Sequence, residues 1–344
     1  MAFFKKAKDI KVALVGYGSM FGMGQIHLEE VQRAGMTPVA VADLDGERLE
    51  AARRDFPGIA TYPSIAALLK KSSADLVILV TPHNAHAKHV LQCLRAGRHV
   101  VVEKPMALTT RECDVMIREA KKRKRLLSTY HNRHWDGCIR HAVRKVRAGA
   151  LGDVVRVEVH FGQRQAAESW WRSSRSISGG ILYDWGVHLM EYALQIIDSD
   201  MVEVSGFLKS GYWAKRRSPW KKDTIEDEGT VVVRFANGIW LTVHMTQLDP
   251  SPDRKWFEII GTEGTYSFTL EQWWLVQKKK GSVVTTQGVN LPCEGWRYYR
   301  NLVDHLTRGK SLVITPEWAR RPIHLIDLAC RSARQGRALK AKYK

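Results

Sequence analysis

A β-branched run that ends in an acid, a base and a proline constrains the fold more than any other stretch of the chain. The run covers Val100 to Val102, and Glu103, Lys104 and Pro105 follow it directly. Continuous apolar runs are typical of strands that are buried on both faces of a parallel sheet. Ligands bind outside the carboxyl ends of such strands, so Glu103 and Lys104 are predicted to lie at a binding crevice. A surface ion pair that closes the strand is the alternative.

Glycines follow the first predicted strand, as they do in a dinucleotide-binding turn. Strand 11–15 leads into a turn and then into a helical pattern near Gly24, and the turn contains Gly16, Gly18, Ser19 and Met20. Gly16 would allow the tight turn, and Gly18 would allow a pyrophosphate to approach the backbone at the helix N-terminus. The strict G-x-G-x-x-G spacing is absent, so we expect a lengthened phosphate loop.

An acid ends the second predicted strand. Asp43 follows strand 38–42, and its carboxylate could accept hydrogen bonds from the adenosine ribose and would repel a 2′-phosphate. The first arginine after it, Arg48, lies on the next predicted helix. These residues predict NAD rather than NADP. Helix capping by Asp43 is the alternative, and Asp45 is predicted to cap the helix that starts at Gly46.

Strands and helices alternate through the rest of the first 131 residues. We predict strands over 75–80, 98–103 and 126–130 and helices over 64–71, 84–96 and 109–124, the last with a capping box of Thr109 and Glu112. This alternation is typical of a doubly wound parallel sheet. Residues that end one of these strands are expected to face the same crevice as the glycine turn: Thr81, Pro82 and His83.

Three histidines follow that strand at helical spacing. His83, His86 and His89 would suit a metal ion, but they do not make the closed ligand set that zinc prefers. Contact with the cofactor, or simple packing, is favoured over a metal site.

The pattern changes after residue 131, where short strands follow one another. We predict strands over 154–161, 202–212, 229–235, 239–246, 255–260, 264–270 and 273–278, helices over 139–148, 296–306 and 321–334, and a hairpin at Asn237-Gly238. Consecutive short strands indicate an antiparallel sheet. We therefore predict two domains, 1–131 and 132–344.

An acid and an imidazole follow a glycine pair in the second domain. Gly179 and Gly180 suggest a turn that opens a helix, on which Asp184 and His188 would share one face. Asp184 could orient His188, which could accept a proton near neutral pH. A helix-face pair with a satisfied core histidine is the alternative.

Composition excludes several classes. The formal net charge is +19, but the basic clusters are spread along the chain and no nucleic-acid-reading motif is present, so a solvated basic surface is favoured over a specific nucleic-acid partner. We find no apolar run long enough to cross a bilayer and no secretory signal. The five cysteines are scattered without a Cys-x-x-Cys pair, which predicts a reducing cytoplasm and no structural zinc.

Together these motifs resemble the Gfo/Idh/MocA oxidoreductases over nearly the whole chain. The resemblance is carried by Gly16-Tyr17-Gly18, Asp43, the segment 81–86, the segment 96–105, Asn132-Arg133 and the segment 179–188. It implies an N-terminal Rossmann domain and a C-terminal α/β domain with a large, mostly antiparallel sheet that builds homodimers or homotetramers. It also implies a sugar, cyclitol or related polyol as substrate.

The resemblance also assigns roles to residues. Lys104, Asp184 and His188 match the catalytic lysine, aspartate and histidine, with His188 as the general base, Asp184 as its orienter and Lys104 holding the substrate hydroxyl. Cofactor contacts are expected from the glycine turn, Asp43, Thr81, Pro82, His83, His86, Glu103, Lys104 and Asn132. Substrate contacts are expected from Arg133, Trp171, Arg172, Tyr183, Asp184 and His188, although ordinary packing of the tryptophans is an equal alternative.

The sequence departs from the family pattern at Ser178, where many members have a third glycine, and at Glu191, where many have aspartate. Both departures bear on the choice of substrate. Two other functions stay open: a glycoside hydrolase that oxidises its sugar transiently with recycled NAD, and a non-catalytic NAD-binding sensor or nucleic-acid-associated protein.

Overall fold

The computed structural model describes residues 3–18, 21–251, 256–279 and 281–343. Their contacts divide the chain into two compact units. The first unit contains Met1–His131 and Trp296–Arg320, and the second contains Asn132–Gly295 and Arg321–Lys344. The segment Trp296–Arg320 therefore groups with the first unit, although the sequence prediction placed all of 132–344 in the second domain.

A parallel sheet forms the first unit. Its strands are β1 (Lys11–Val15), β2 (Thr37–Ala42), β3 (Ala60–Tyr62), β4 (Leu76–Leu79), β5 (His99–Val102) and β6 (Leu127–Thr129). Among the described residues their order is β3-β2-β1-β4-β5-β6, and every neighbouring pair is parallel. This is the order of two nucleotide-binding halves that diverge from β1 and β4. The predicted doubly wound sheet is confirmed.

The central strands are the core of this unit. Leu76 to Leu79 on β4 and Val100 to Val102 on β5 are fully buried. Such strands have no solvent face, which explains their unbroken apolar sequence. Strand β5 ends at Val102, so Glu103, Lys104 and Pro105 follow the strand as predicted.

A mixed, mostly antiparallel sheet forms the second unit, as predicted. Its strands are β7 (Val154–Gly162), β8 (Met201–Lys209), β9 (Glu228–Phe235), β10 (Trp240–Thr246), β11 (Phe257–Gly261), β12 (Gly264–Phe268), β13 (Gln272–Lys279), β14 (Ser282–Val289) and β15 (Leu339–Lys340). Within the described part of the chain their order is β14-β13-β12-β11-β7-β10-β9-β8-β15, and the pair β7–β10 is parallel.

Most helices begin and end within two residues of the predicted positions. The helices are α1 (Met23–Arg33), α2 (Gly46–Asp55), α3 (Ile65–Lys71), α4 (His86–Arg95), α5 (Thr110–Arg123), α6 (Gly137–Arg147), α7 (Arg175–Ser178), α8 (Gly186–Ile196), α9 (Arg297–Arg308) and α10 (Pro316–Gln335). However, α10 begins at Pro316 instead of Arg321, and α7 was not predicted. The predicted capping box is present, because the Thr109 side chain accepts from Glu112 N–H while the Glu112 side chain accepts from Thr109 N–H. Asp45 caps α2 through Glu47 N–H, also as predicted. No helix of the described residues is both long and apolar enough for a membrane span.

One predicted helix was wrong in position. The prediction put Asp184 and His188 on the same helix, but α8 begins at Gly186. The residues after the glycine pair form a 3₁₀ turn, Ile181–Tyr183, and Asp184 has non-helical backbone angles of φ −86° and ψ −82°. Helical spacing therefore does not place Asp184 on the face that carries His188.

Strand β5 also contains a buried histidine that should couple stability to pH. The His99 Nδ1 accepts the backbone N–H of Leu126 at 3.0 Å, so the fold uses the neutral ring. Burial, with Arg125 and His305 nearby, lowers the pKa of His99 from 6.5 to about 4. Between these two values the unfolded chain binds a proton that the folded chain excludes, so stability falls as pH falls.

We predict that His99→Asn, which keeps an acceptor, removes this proton linkage. The melting temperature of the wild type should exceed that of the variant above pH 6.5, and the difference should shrink as pH falls toward 4. Thermal unfolding of both proteins across this range tests the prediction. A difference that stays constant with pH would contradict it.

Candidate functional site

The carboxyl ends of four strands of the first sheet are joined by backbone hydrogen bonds. Gly16 N–H donates to the Ala42 carbonyl at 2.8 Å, and Val80 N–H donates to the Val15 carbonyl at 2.8 Å. Glu103 N–H donates to the Leu79 carbonyl at 2.9 Å. The residues that follow β1, β2, β4 and β5 therefore share one edge of the sheet, as the sequence predicted.

Two glycines allow close packing at this edge. Gly16 has φ +94°, and a Cβ there would lie 2.1 Å from the Val80 carbonyl oxygen. A Cβ on Gly24, in the first turn of α1, would lie 2.9 Å from Tyr17 Cδ2 and 3.0 Å from Tyr17 Cα. Gly24 thus provides the close contact between helix and turn that the third glycine of a dinucleotide fingerprint provides, but later in the sequence. The predicted contacts Ser19 and Met20 lie outside the described residues.

The turn also has an open side and a fixed acid. A Cβ on Gly18 would meet no described heavy atom within 4 Å. The Asp43 carboxylate accepts Tyr17 N–H at 2.6 Å and Asp45 N–H at 3.0 Å. Arg48 pairs with Asp45 at 3.6 Å. An open glycine backbone beside a carboxylate at a parallel sheet edge fits the pyrophosphate and ribose of a dinucleotide.

The Glu103 carboxylate is held by a chain of hydrogen bonds. One oxygen lies 3.0 Å from Nε2 of His27 on α1, and Nδ1 of the same ring lies 2.6 Å from the hydroxyl of Tyr299 on α9. The other oxygen accepts Lys104 N–H at 2.9 Å. Burial opposes ionisation of Glu103, but the hydrogen bond to His27, together with Lys104, holds the pKa of Glu103 below its usual range.

The predicted cofactor contact His86 lies inside the fold. Its Nδ1 is 2.7 Å from the Pro105 carbonyl oxygen and its Nε2 is 2.8 Å from the Thr81 carbonyl oxygen. The ring is fully buried, so it ties the end of β4 to the turn after β5. Burial lowers the pKa of His86, while both carbonyls oppose that shift. His83 is buried as well, and Lys104 is partly exposed.

Asp184 in the second unit contacts an arginine that lies over aromatic rings. Nη1 of Arg172 lies 2.5 Å from Oδ1 of Asp184. The Arg172 guanidinium lies 5.1 Å from the ring centre of Trp170 and 5.4 Å from that of Trp171. Cation–π contacts of this kind hold a guanidinium in place, so Asp184 has a fixed cationic partner.

His188 lies in the first turn of α8, beside Trp185. The side chain is buried, and its ring centre is 5.8 Å from the Trp185 ring. The Arg133 guanidinium lies 4.6 Å from the Trp185 ring centre and donates to Asp136 at 2.9 Å. Three residues that the sequence singled out, Asn132, Arg133 and His188, thus belong to the same unit as Asp184 and Tyr183.

The two departures from the family pattern have local partners. Ser178 Oγ donates to the Ser174 carbonyl at 2.7 Å and accepts Gly180 N–H at 3.3 Å, so it closes the turn before the glycine pair. Glu191 is buried, lies 2.6 Å from Nδ1 of His134 and accepts from Gln195 at 3.0 Å.

Sequence reasoning missed three residues. Glu226 accepts Ile181 N–H at 3.0 Å, and a Cβ on Gly180 would lie 2.4 Å from its Oε2, so this acid sets the shape of the glycine pair. His27 and Tyr299 were also missed. A histidine inside the apolar stripe of α1 was the available signal for His27, since only Ile26, Leu28 and Val31 were considered there.

Comparisons with known proteins match both units. A family model described as the oxidoreductase family, NAD-binding Rossmann fold, matches residues 10–131. A second model, the GFO/IDH/MocA C-terminal domain, matches residues 139–267. The predicted family is confirmed.

Individual relatives cover most of the chain. It is 25% identical to scyllo-inositol 2-dehydrogenase (NADP(+)) IolW of Bacillus subtilis, over 97% of each chain. It is 27% identical to myo-inositol 2-dehydrogenase of Thermotoga maritima, over 67% of this chain and 66% of the relative. A solved structure of levoglucosan dehydrogenase in complex with NADH and levoglucosan shares the fold, with a TM-score of 0.83, 20% identity and coverage of 97% and 100% of the two chains.

The glycine geometry gives a prediction about stability. Gly24→Ala should lower the melting temperature, because the new Cβ meets the backbone of Tyr17 as well as its ring. Gly18→Ala is the matched control and should leave the melting temperature of the ligand-free protein nearly unchanged, because its Cβ enters open space. Equal melting temperatures for both variants would contradict the role given to Gly24.

Proposed function

We propose that this chain, an oxidoreductase that belongs to the Gfo/Idh/MocA family, transfers a hydride between a polyol or sugar hydroxyl and a nicotinamide cofactor. The observation that carries the proposal is its similarity over 97% of its length to a curated inositol dehydrogenase. Two further relatives, named as myo-inositol 2-dehydrogenase and glucose-6-phosphate 3-dehydrogenase, support the same class of substrate.

NAD is the proposed cofactor. Gly16 and Gly18 would present the backbone to the pyrophosphate, and Thr81, Pro82, Glu103 and Asn132 are further proposed contacts. Asp43 would accept a hydrogen bond from the ribose, and its charge would repel a 2′-phosphate. Arg48 pairs with Asp45, so its charge is directed toward another acid rather than toward Asp43. His83 stays a proposed contact, while His86 is assigned to hold the turn after β5.

Three residues of this chain would carry the proton and the developing charge. In the oxidising direction a ring nitrogen of His188 accepts the proton of the substrate hydroxyl. The Lys104 ammonium donates a hydrogen bond to the same oxygen and stabilises its negative charge. Asp184, held by Arg172, would orient His188. The bound nicotinamide would supply the hydride acceptor. The family resemblance is what assigns these three residues to one reaction.

The substrate would be bound by residues of the second unit. Trp171 offers an apolar face for a sugar ring, and Arg172, Arg133 and Tyr183 offer polar groups for its hydroxyls. Assembly through the large sheet into a homodimer or homotetramer is part of the proposal. Phe207 on β8 and Trp240 on β10 are exposed large apolar side chains of this sheet, but the family resemblance is what carries this part of the proposal. We also propose a cytoplasmic location, from the scattered cysteines.

The second candidate function, a glycoside hydrolase that recycles NAD, would use the same residues. Net NADH formation separates the two, because the dehydrogenase accumulates NADH whereas the hydrolase releases an aglycone without accumulating it. Incubation with NAD⁺ and an inositol panel, and with nitrophenyl glycosides, measures both products. Aglycone release without NADH would overturn the dehydrogenase in favour of the hydrolase.

Cofactor choice gives the next prediction. NAD⁺ should stabilise the wild type, by about 2.7 kcal/mol at one hundred times its dissociation constant. NADP⁺ should stabilise it less. Asp43→Asn keeps an acceptor for Tyr17 N–H but removes the charge, so it should narrow the preference for NAD⁺. Thermal shift of both proteins with each nucleotide tests this. Stronger binding of NADP⁺ by the wild type would overturn the choice of cofactor.

The catalytic assignment predicts a loss of rate. Lys104→Met and His188→Gln should each lower kcat for polyol oxidation by about 10²–10³-fold, because each removes an interaction with the reacting oxygen. Lys122→Met, an exposed lysine on α5, is the control and should keep the wild-type rate. NADH absorbance measures each rate. A normal kcat in either active-site variant would remove that residue from the proposed machinery.

A further inference from the structure

In the hydrogen-bond chain Tyr299–His27–Glu103, a neutral His27 ring gives every hydrogen bond one donor and one acceptor. Burial raises the pKa of Tyr299 well above its usual value, so its hydroxyl stays protonated and can donate to Nδ1 of His27. Glu103 is ionised and accepts, so Nε2 of His27 carries the proton that faces it. Each hydrogen bond then has one donor and one acceptor, and the ring tautomer of His27 is fixed.

This series of hydrogen bonds ends at the backbone of the turn that carries Lys104. The second oxygen of Glu103 accepts Lys104 N–H at 2.9 Å, while Glu103 N–H is bound by the Leu79 carbonyl. Each residue from Glu103 to Pro105 thus has a backbone contact, since the Pro105 carbonyl lies 2.7 Å from Nδ1 of His86. Rotation of the Glu103 carboxylate would release Lys104 N–H, so whatever fixes the carboxylate also fixes the turn.

A purely structural role does not require these groups. The Glu103 side chain is only 12% exposed, and His27 and Tyr299 are fully buried. Burying a charge costs more than packing apolar side chains of similar volume, so a network of this kind is weak evidence for stability by itself. Its contact with the backbone of a functional turn is what distinguishes it.

We propose that His27 and Tyr299 are positioning residues for the hydride-transfer reaction, and that they act by holding Glu103 and, through it, the turn that carries Lys104. The inference rests on the proposed function, because it takes Lys104 to act on the substrate oxygen. Neither residue touches the reacting atoms in this assignment.

Two neighbouring tyrosines provide a matched pair of variants that test this proposal. Tyr299→Phe removes the hydroxyl that bonds His27. Tyr298→Phe removes a neighbouring buried hydroxyl on the same helix, one that donates to Ser128 Oγ at 2.9 Å instead. His27→Gln replaces the imidazole that lies between Tyr299 and Glu103. Because each tyrosine variant deletes one oxygen atom from a buried tyrosine, a difference between the two reports the contact with His27.

The kinetic expectation is a split between kcat and KM. In polyol oxidation, Tyr299→Phe and His27→Gln should lower kcat by up to about 10²-fold, while KM for the polyol stays nearly unchanged. Tyr298→Phe should keep the wild-type kcat. A wild-type kcat in both Tyr299→Phe and His27→Gln, or an equal loss of kcat in Tyr298→Phe, would overturn the inference.

The pH profile provides a second expectation. Removing His27 takes away the strongest influence that lowers the pKa of Glu103, so that pKa should rise. The acid limb of kcat in His27→Gln should therefore move to higher pH. The groups that face Glu103 or interact with its charge are His27, Lys104, Tyr130, Tyr298, Tyr299 and His86. An unshifted acid limb would contradict the proposed action of His27 on Glu103.

A third measurement needs no substrate. Amide hydrogen exchange of the peptide that contains Lys104 should be faster in Tyr299→Phe and His27→Gln than in the wild type and in Tyr298→Phe. If the wild type oxidises no polyol, the proposed function fails. Faster exchange in Tyr299→Phe and His27→Gln would still show that these residues fix the turn that carries Lys104. Equal exchange in all four proteins would overturn that hold even if the enzyme turns over. If His27→Gln does not fold, Tyr299→Phe still decides the inference.

Discussion

Backbone N–H groups in the functional turns depend on carboxylates. A residue in a turn has no ladder partner, and an N–H left unsatisfied inside a protein costs as much as a lost hydrogen bond. Asp43 accepts Tyr17 N–H, Glu103 accepts Lys104 N–H and Glu226 accepts Ile181 N–H. The same interaction, a carboxylate that accepts a backbone N–H, therefore occurs in both units: at the glycine turn, at the turn that carries Lys104 and at the glycine pair.

The carboxylates need partners in return, because desolvation disfavours their charged form. Asp43 also accepts Asp45 N–H, and Glu103 takes the ring of His27. Glu226 lies 3.9 Å from Arg175. Glu103 and Glu226 therefore have partners on other elements, whereas the second partner of Asp43 lies two residues further along the same loop.

Periodicity explains which parts of the fold could be predicted. The apolar runs of β4 and β5, and the capping signals at Asp45 and Thr109, depend on residues close together in sequence, and they were predicted within a few positions. Strand β14 was missed because its side chains are almost all exposed, so it has no apolar alternation. Asp184 was misplaced because the intervening 3₁₀ turn has no signal that distinguishes it from the start of an α-helix.

In the first unit, residues of the candidate site could be predicted where they adjoin a strand end. Glu103 and Lys104 follow β5 directly, and Asp43 follows β2. Tyr299 is separated from His27 by 272 positions, and no spacing rule joins residues that far apart. Gly24 shows the same limit at short range: its role follows from contact with Tyr17, while the fingerprint expects the third glycine earlier.

The segment Trp296–Arg320 belongs to the first unit, and two carboxylates at one edge of its sheet differ in whether their contacts include this segment. The contact between Asp43 and Tyr17 uses only residues before His131. The hydrogen-bond chain to Glu103 also includes the hydroxyl of Tyr299, which follows the segment Asn132–Gly295 of the second unit. Because Asp43 and Glu103 are held by different residues, a change at Tyr299 is expected to alter the turn that carries Lys104 without altering the contact between Asp43 and Tyr17.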